Sequence, residues 1–323
     1  MSATWRFYDA HMSIDTLRLE RIETASHLID PIFRDTPQIF DDSFSRLLER
    51  ETLLKIETLN PIRSFKGRGA DFLLRDTGEN RAIVCASAGN FGQAMAYAAR
   101  HRGLPVHVFV PADANPQKIA RMRELGARVV VGGADFDAAK DDAVAHAAGR
   151  QDCVFVEDGA VPHIAEGAGT IGVELAPLHL DTVVVPVGNG ALISGIGRWL
   201  KEYSRRTRVI GVCAAGAPAM AHSWRTGRPV STAEARTAAD GLAVRVAVPE
   251  AVEWMRGVVD DMVLVDDDEI YAALRLLRDS LGLIVEPSAA VGIAAIANRD
   301  IPGTRVGTVL TGSNFAPDLT KSL

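Results

Sequence analysis

The chain has 323 residues, 47% hydrophobic and 24% charged, a balance that excludes a disordered or fibrous protein. Lys and Arg number 35 against 41 Asp and Glu, a formal charge of −6, and so mildly acidic a chain is a poor general nucleic-acid binder. Three dispersed cysteines without a CxxC pair, and histidines without HExxH, predict buried free thiols, a reducing cytoplasm and no transition-metal site. Met1–Asp9 lacks the apolar core of a signal peptide, and no uncharged apolar run reaches about twenty residues. A cytoplasmic protein with no membrane partner is therefore expected. At roughly 100–200 residues per domain, the length suggests two compact units.

From residue 81 the pattern is regular. Arg81–Ala86 reads as a strand, and the turn Ser87-Ala88-Gly89 leads into a helix from Asn90 to His101 with Gly103 beyond its end. Val106–Val110 is strand-like. Asn115-Pro116 opens a helix, with Asn as cap and Pro at the first position, and Gly126 closes it. Arg128–Val131, Asp135–Ala148 and Cys153–Val156 read as strand, helix and strand. His163–Leu175, Thr182–Val187, Ala191–Tyr203 and Val209–Ala214 continue the alternation. Asp266–Leu281 carries three acidic residues in its first turn, where they complement the helix dipole. Ala289–Ala297 reads as helix and Val306–Thr311 as the last strand, while about 226 to 262 reads as loops and short helices. Strands alternating with helices of this length predict an α/β fold with parallel sheets.

Four short segments carry chemistry. In Ser64-Phe65-Lys66-Gly67-Arg68-Gly69-Ala70, Lys66 sits between an aromatic residue and a glycine-bordered turn. Alone it would be an ordinary surface lysine. Ser87-Ala88-Gly89-Asn90-Phe91-Gly92 joins a strand to a helix start, which presents free backbone N–H groups to a carboxylate or phosphate. Val187-Gly188-Asn189-Gly190-Ala191-Leu192 does the same with small residues that let the backbone close around a phosphate. It matches neither GxxxxGK[ST] nor GxGxxG, so nucleotide readings are weak. Leu310-Thr311-Gly312-Ser313-Asn314 ends the last strand in small polar groups, where open parallel sheets bind ligands.

Taken in order, SFKGRGA (64–70), SAGNFGQA (87–94), VPVGNGALISG (185–195), VEPSAA (285–290) and LTGSN (310–314) resemble the fold type II family of pyridoxal-phosphate enzymes. That family includes threonine and serine dehydratases and serine racemase, and the resemblance runs from about residue 30 to the C-terminus. It implies two open α/β domains of the tryptophan synthase β-like architecture with pyridoxal 5'-phosphate in the cleft between them. The larger would comprise 1–81 and 153–323, the smaller 82–152.

The resemblance also assigns roles. Lys66 matches the lysine that binds the cofactor covalently and serves as base. Phe65 matches the residue packed near the cofactor ring, and Asn90 the partner of the ring hydroxyl oxygen. Gly188, Asn189, Gly190, Ala191 and Leu192 match the phosphate cup. Thr311 matches the partner of the pyridine nitrogen. A hydroxyl there does not hold that nitrogen protonated as a carboxylate would, a bias toward β-elimination. Ser87, Ala88, Gly89, Asn90 and Phe91 match the loop that holds the substrate carboxylate.

The sequence departs from relatives at Arg63 and Phe91. Arg63 reads as a surface charge or as a group reaching an acidic substrate. Ala214–Pro218 lacks a carboxylate that some relatives use for a divalent ion, so no metal is expected there, with a monovalent ion on backbone carbonyls left open. Nothing follows Leu323, so no regulatory amino-acid-binding domain is expected. The implied activity is that of a dehydratase turning a 3-hydroxy L-amino acid such as threonine or serine into a 2-oxo acid and ammonia. β-Replacement, racemisation and non-catalytic cofactor binding are the alternatives, and a homodimer is expected.

Overall fold

The computed structural model describes residues 16–75, 77, 81–315 and 319. The expectations about Met1–Asp9 and about the chain end at Leu323 lie outside the described residues. The chain runs α1 (Leu19–Leu28), β1 (Gln38–Phe40), α2 (Asp42–Leu47), β2 (Glu51–Ile56) and α3 (Lys66–Arg75). Next come β3 (Ala82–Ala86), α4 (Asn90–Arg100), β4 (Val106–Val110), α5 (Pro116–Glu124), β5 (Arg128–Val131), α6 (Phe136–Ala147) and β6 (Cys153–Phe155). Then follow α7 (Pro162–Leu175), β7 (Thr182–Pro186), α8 (Ala191–Tyr203), β8 (Arg208–Ala214), α9 (Ala219–Thr226), α10 (Pro249–Met255), β9 (Asp261–Val265), α11 (Asp267–Leu281), α12 (Pro287–Asn298) and β10 (Arg305–Leu310).

The strands form two sheets, as the alternation of elements predicts. One has the order β1-β2-β10-β7-β8-β9 and draws on both ends of the chain; the other is β5-β4-β3-β6. All pairings are parallel except β1 with β2 at the edge of the larger sheet. The expected division at 152/153 falls just before β6, which pairs with β3 in the smaller sheet.

Local signals fix the helix ends. Asn115 caps α5, its Oδ1 accepting from the Gln117 N–H at 2.8 Å, with Pro116 at the first position. Asp266 and Glu269 form a reciprocal capping box on α11, and Gly282 ends that helix at φ +67°. The region from 226 to 262 contains α10 and the start of β9, an edge strand that the sequence pattern does not announce.

The two helices α7 and α8 cross in close contact because small residues face each other. A Cβ on Gly195 would collide with the Ala165 carbonyl oxygen and lie 2.8 Å from Gly169 Cα. The obstacle is backbone, so it cannot rotate aside. Gly195→Ala should therefore cost about 1–3 kcal/mol or more through overpacking. A lowered urea midpoint checks this; an unchanged midpoint would mean that the helices slide apart at no cost.

Candidate active site

In a parallel sheet every strand delivers the chain, at its C-terminal end, to the start of a helix. Here β3 leads through Ser87–Gly89 into α4, and β7 through Val187–Gly190 into α8. Lys66 opens α3, and Pro287 opens α12 directly after Glu286. The beginnings of all four helices line one cavity between the sheets. Helix N-termini carry unsatisfied N–H groups and partial positive charge, so the cavity is built for anions.

The residues given cofactor or substrate roles from the sequence all line this cavity: Phe65, Lys66, the 87–91 loop, the 188–192 loop and Thr311. Lys66 Nζ lies 4.8 Å from the Phe65 ring centroid and 6.0 Å from that of Phe91. Gly188 and Gly190 are required as glycines. A Cβ on Gly188 would come within 2.7 Å of the Gly241 oxygen, and Gly190 has φ +91° with Ala251 Cβ 2.9 Å from where its own would stand. The Val187 N–H is spent on the Val212 oxygen at 2.8 Å, and no side chain caps α8. The backbone that follows is a cradle open to a phosphate.

The 87–91 loop has a more restricted donor set than its sequence suggests. Ser87 Oγ accepts from the N–H groups of Gly89 at 3.2 Å and Gly92 at 2.9 Å. Ser87 is thus the brace of the turn, and the N–H groups of Ala88, Asn90 and Phe91 are left to face a ligand. The Asn90 side chain is held at both ends: Nδ2 donates to Glu286 Oε1 at 2.7 Å, and Oδ1 accepts from Asn314 Nδ2 at 2.8 Å. One Nδ2 hydrogen remains for another acceptor. Thr311 is 5% exposed, its carbonyl accepting from the Phe65 N–H at 3.1 Å, which ties the end of β10 to the lysine segment.

Arg63 is not among the lining residues. It is exposed, with φ +51°, so it is the surface charge of a left-handed turn. Several lining residues were not assigned from the sequence. Asp158 pairs with Lys66 at 2.5 Å. Lys118 of α5 pairs with Asp240, and Asp137 of α6 with Arg245, so two ion pairs tie the 240–245 loop to the helices of the smaller sheet. Glu286 lies in the VEPSAA segment, and its position before Pro287 was the available signal. Burial pushes its carboxyl up to about 7, with Lys118 and Asp240 pulling in opposite directions. The Cys85 thiol, fully buried behind the site, is pushed up to about 12 by burial and then by the charge of Asp158. Among the described residues no group of three His, Cys, Asp or Glu side chains could hold a metal, and no helix is long and apolar enough to cross a membrane.

A lysine amine and a glycine-built backbone cradle lining one cavity, at the strand ends of two mainly parallel sheets, is the architecture of a cofactor enzyme. The chain belongs to the pyridoxal-phosphate dependent enzyme family, whose sequence model matches residues 29–312. It is 35% identical over 305 residues to an L-threonine ammonia-lyase of Thermotoga maritima, covering 93% of this chain and 76% of that protein. It is 34% identical to a phenylserine dehydratase of Ralstonia pickettii, covering 87% of this chain and 88% of that one. The processed threonine deaminase isoform 2 of Solanum lycopersicum superposes with a TM-score of 0.85 at 27% identity, over 96% of this chain and 95% of that one. Pyridoxal phosphate is the cofactor of this chain, and the glycine-built cradle with a lysine across the cavity fits it.

Glu286 gives this site a pH signature. Its folded value, about 7, lies above the ordinary 4.5, so the folded protein holds that proton more tightly than the unfolded chain. Its contribution to stability is full below about pH 4.5 and is lost as pH rises toward 7. The loss amounts to about 3 kcal/mol. Urea midpoints at pH 5 and pH 8 should show this fall in the native protein and a flatter response in Glu286→Gln. Parallel curves for the two proteins would remove Glu286 as the titrating group.

Proposed function

We propose that the protein is a dehydratase that converts a 3-hydroxy L-amino acid, such as threonine or serine, into a 2-oxo acid and ammonia. The observation that carries the reading is Lys66, placed in one cavity with two separate anion-binding helix starts. The 188–192 backbone would hold the cofactor phosphate, Asn90 Nδ2 the ring hydroxyl oxygen, and the Thr311 hydroxyl the ring nitrogen. The N–H groups of Ala88, Asn90 and Phe91 would hold the substrate carboxylate. Phe65 lies beside Lys66 and would pack against the cofactor ring. The bound cofactor supplies an electron sink next to the α-carbon.

The chain supplies the proton transfers. Lys66 Nζ takes the proton from the α-carbon, the released electron pair forms the α–β double bond, and the hydroxyl leaves the β-carbon as hydroxide, which becomes water with the proton that Lys66 then gives up. Hydrolysis of the resulting enamine gives the 2-oxo acid and ammonia. The lining cations Lys118, Lys140 and Arg245 are each paired with a carboxylate, Asp240, Glu157 and Asp137, and Arg63 lies outside the cavity, which disfavours a substrate with a second carboxylate. The names of the relatives, which include threonine ammonia-lyases and a phenylserine dehydratase, support a hydroxyl on the β-carbon.

The lining methyl group of Ala88 argues against racemisation. It neither gives nor takes a proton, so Lys66 serves one face of the α-carbon alone. We also propose that the chain works as a cytoplasmic homodimer. Its three buried free thiols suit a reducing compartment, and the exposed Leu28, Ile32, Ile39 and Leu47 on its N-terminal elements suit an interface. The smaller unit would run from 82 through β6, and the cofactor would lie between the two.

A panel of 3-hydroxy amino acids assayed for 2-oxo acid should give turnover with a neutral side chain and little with a dicarboxylate. Lys66→Ala should lose at least the 10²–10⁴-fold, roughly, that general-base catalysis supplies. A variant retaining a tenth of the activity would sink the assignment. Ala88→Ser should raise racemisation relative to elimination in a chiral assay of unreacted substrate in deuterated water. An unchanged ratio would remove residue 88 from the account of the second face.

A further inference from the structure

Lys66 is not idle beside the cavity. Its amine is bound to Asp158 Oδ2 at 2.5 Å, with the two side chains 17% and 11% exposed. The other carboxylate oxygen, Oδ1, is buried and has no partner among the described residues. Lys66 is therefore the group that compensates the charge of Asp158. The position of Asp158 is fixed from behind. Gly159 follows at φ +92°, and a Cβ there would lie 2.7 Å from the Asn189 oxygen. The loop after β6 is thus packed directly on the phosphate cradle and cannot drift with its carboxylate.

We infer that Asp158 is a positioning residue that receives the Lys66 amine whenever that amine is not bonded to the cofactor. The inference rests on the proposed role of Lys66 and extends it. Two consequences run in opposite directions. For Nζ to bond to the cofactor's aldehyde carbon with loss of one water, the amine must leave Asp158 and give its proton to solvent. The ion pair therefore slows cofactor capture. During turnover the released amine takes the α-proton and becomes an ammonium, with the C–H electron pair passing into the α–β double bond. Asp158 lies where it neutralises that new charge, so it speeds proton abstraction.

The cycle thus has two resting places for one amine. A buried carboxylate left unpaired is costly, so each time Lys66 joins the cofactor, Asp158 draws it back. The neighbouring carboxylate Glu157 does not share this task, since it pairs with Lys140 at 3.1 Å.

The test is Asp158→Asn, an isosteric change, in the full chain stripped of cofactor and then mixed with pyridoxal phosphate. Absorbance reads capture without any turnover. A charge-assisted bond of this kind is worth on the order of tenfold. Capture should be about tenfold faster in the variant, and Asp158→Glu, which keeps the charge, should capture slowly. After reconstitution, kcat should be about tenfold lower, and the α-deuterium isotope effect on it larger. If capture and turnover both slow, or both stay unchanged, Asp158 is a structural ion-pair partner and the inference fails. The capture arm needs no amino-acid substrate, so it stands or falls separately from the proposed dehydratase activity. A melting temperature within a few degrees of native confirms folding of the variant; a lower one shifts the test to Asp158→Ser, judged by the same two rates.

Discussion

The placement of Lys66 depends on a buried arginine two residues later. Arg68 is wholly inaccessible. Its Nε and Nη2 donate to the two oxygens of Glu57 at 2.9 and 2.8 Å, and Nη1 donates to Glu174 Oε1 at 2.6 Å and Thr170 Oγ1 at 2.9 Å. Lys55, near the C-terminal end of β2, pairs with Glu174 from the other side and donates to the Thr36 oxygen at 2.6 Å. Two cations and two carboxylates balance. Burial works against the Arg68 charge, yet Glu57 and Glu174 together hold the guanidinium above its ordinary value. Removing one partner from such a set leaves an uncompensated charge in the interior. The network therefore fixes the rotation of α3 about its axis, and with it the direction in which Lys66 leaves the helix.

Around that fixed lysine, the site is assembled from strand ends that are remote in sequence. Phe65 hangs from the Thr311 carbonyl, Asn90 from Glu286 and Asn314, and the Asp158 loop from Asn189. Each tie anchors the lysine, carboxylate or phosphate segment to a part of the chain remote in sequence. The charges follow one logic. Helix starts supply positive potential without side-chain cations, while Asp158 and Asp240 pair with the ammonium groups of Lys66 and Lys118.

Much of this was legible in the sequence, and the remainder was hidden for definable reasons. The strand–turn–helix units from 81 to 214 announce themselves through β-branched runs and glycine stops, and the loops at 87–91 and 188–192 stand out because they need small residues. The strand β2 did not stand out, since Lys55 interrupts its apolar run and only tertiary partners make that lysine a buried residue. At the sheet edge, β9 has five residues and little context. Asp158 and Glu286 look like ordinary acidic residues until the fold brings one to Lys66 and the other to Asn90, across 92 and 196 positions. Arg63 illustrates the reverse: a conspicuous charge beside the lysine segment whose left-handed backbone turns it away from the cavity.

The cysteines have a further consequence. Cys85 and Cys213 are enclosed, and burial pushes each thiol up to about 12; Cys153 sits in the small core on the other face of the smaller sheet, also raised by burial. A thiol in that state offers almost no thiolate to an alkylating reagent. Labelling of this protein would then proceed only through molecules that have come open, at a rate set by how often each sheet parts from its helices. The three sulfurs amount to built-in reporters of breathing, Cys213 in the larger sheet and Cys85 and Cys153 in the separate cores packed on the smaller one.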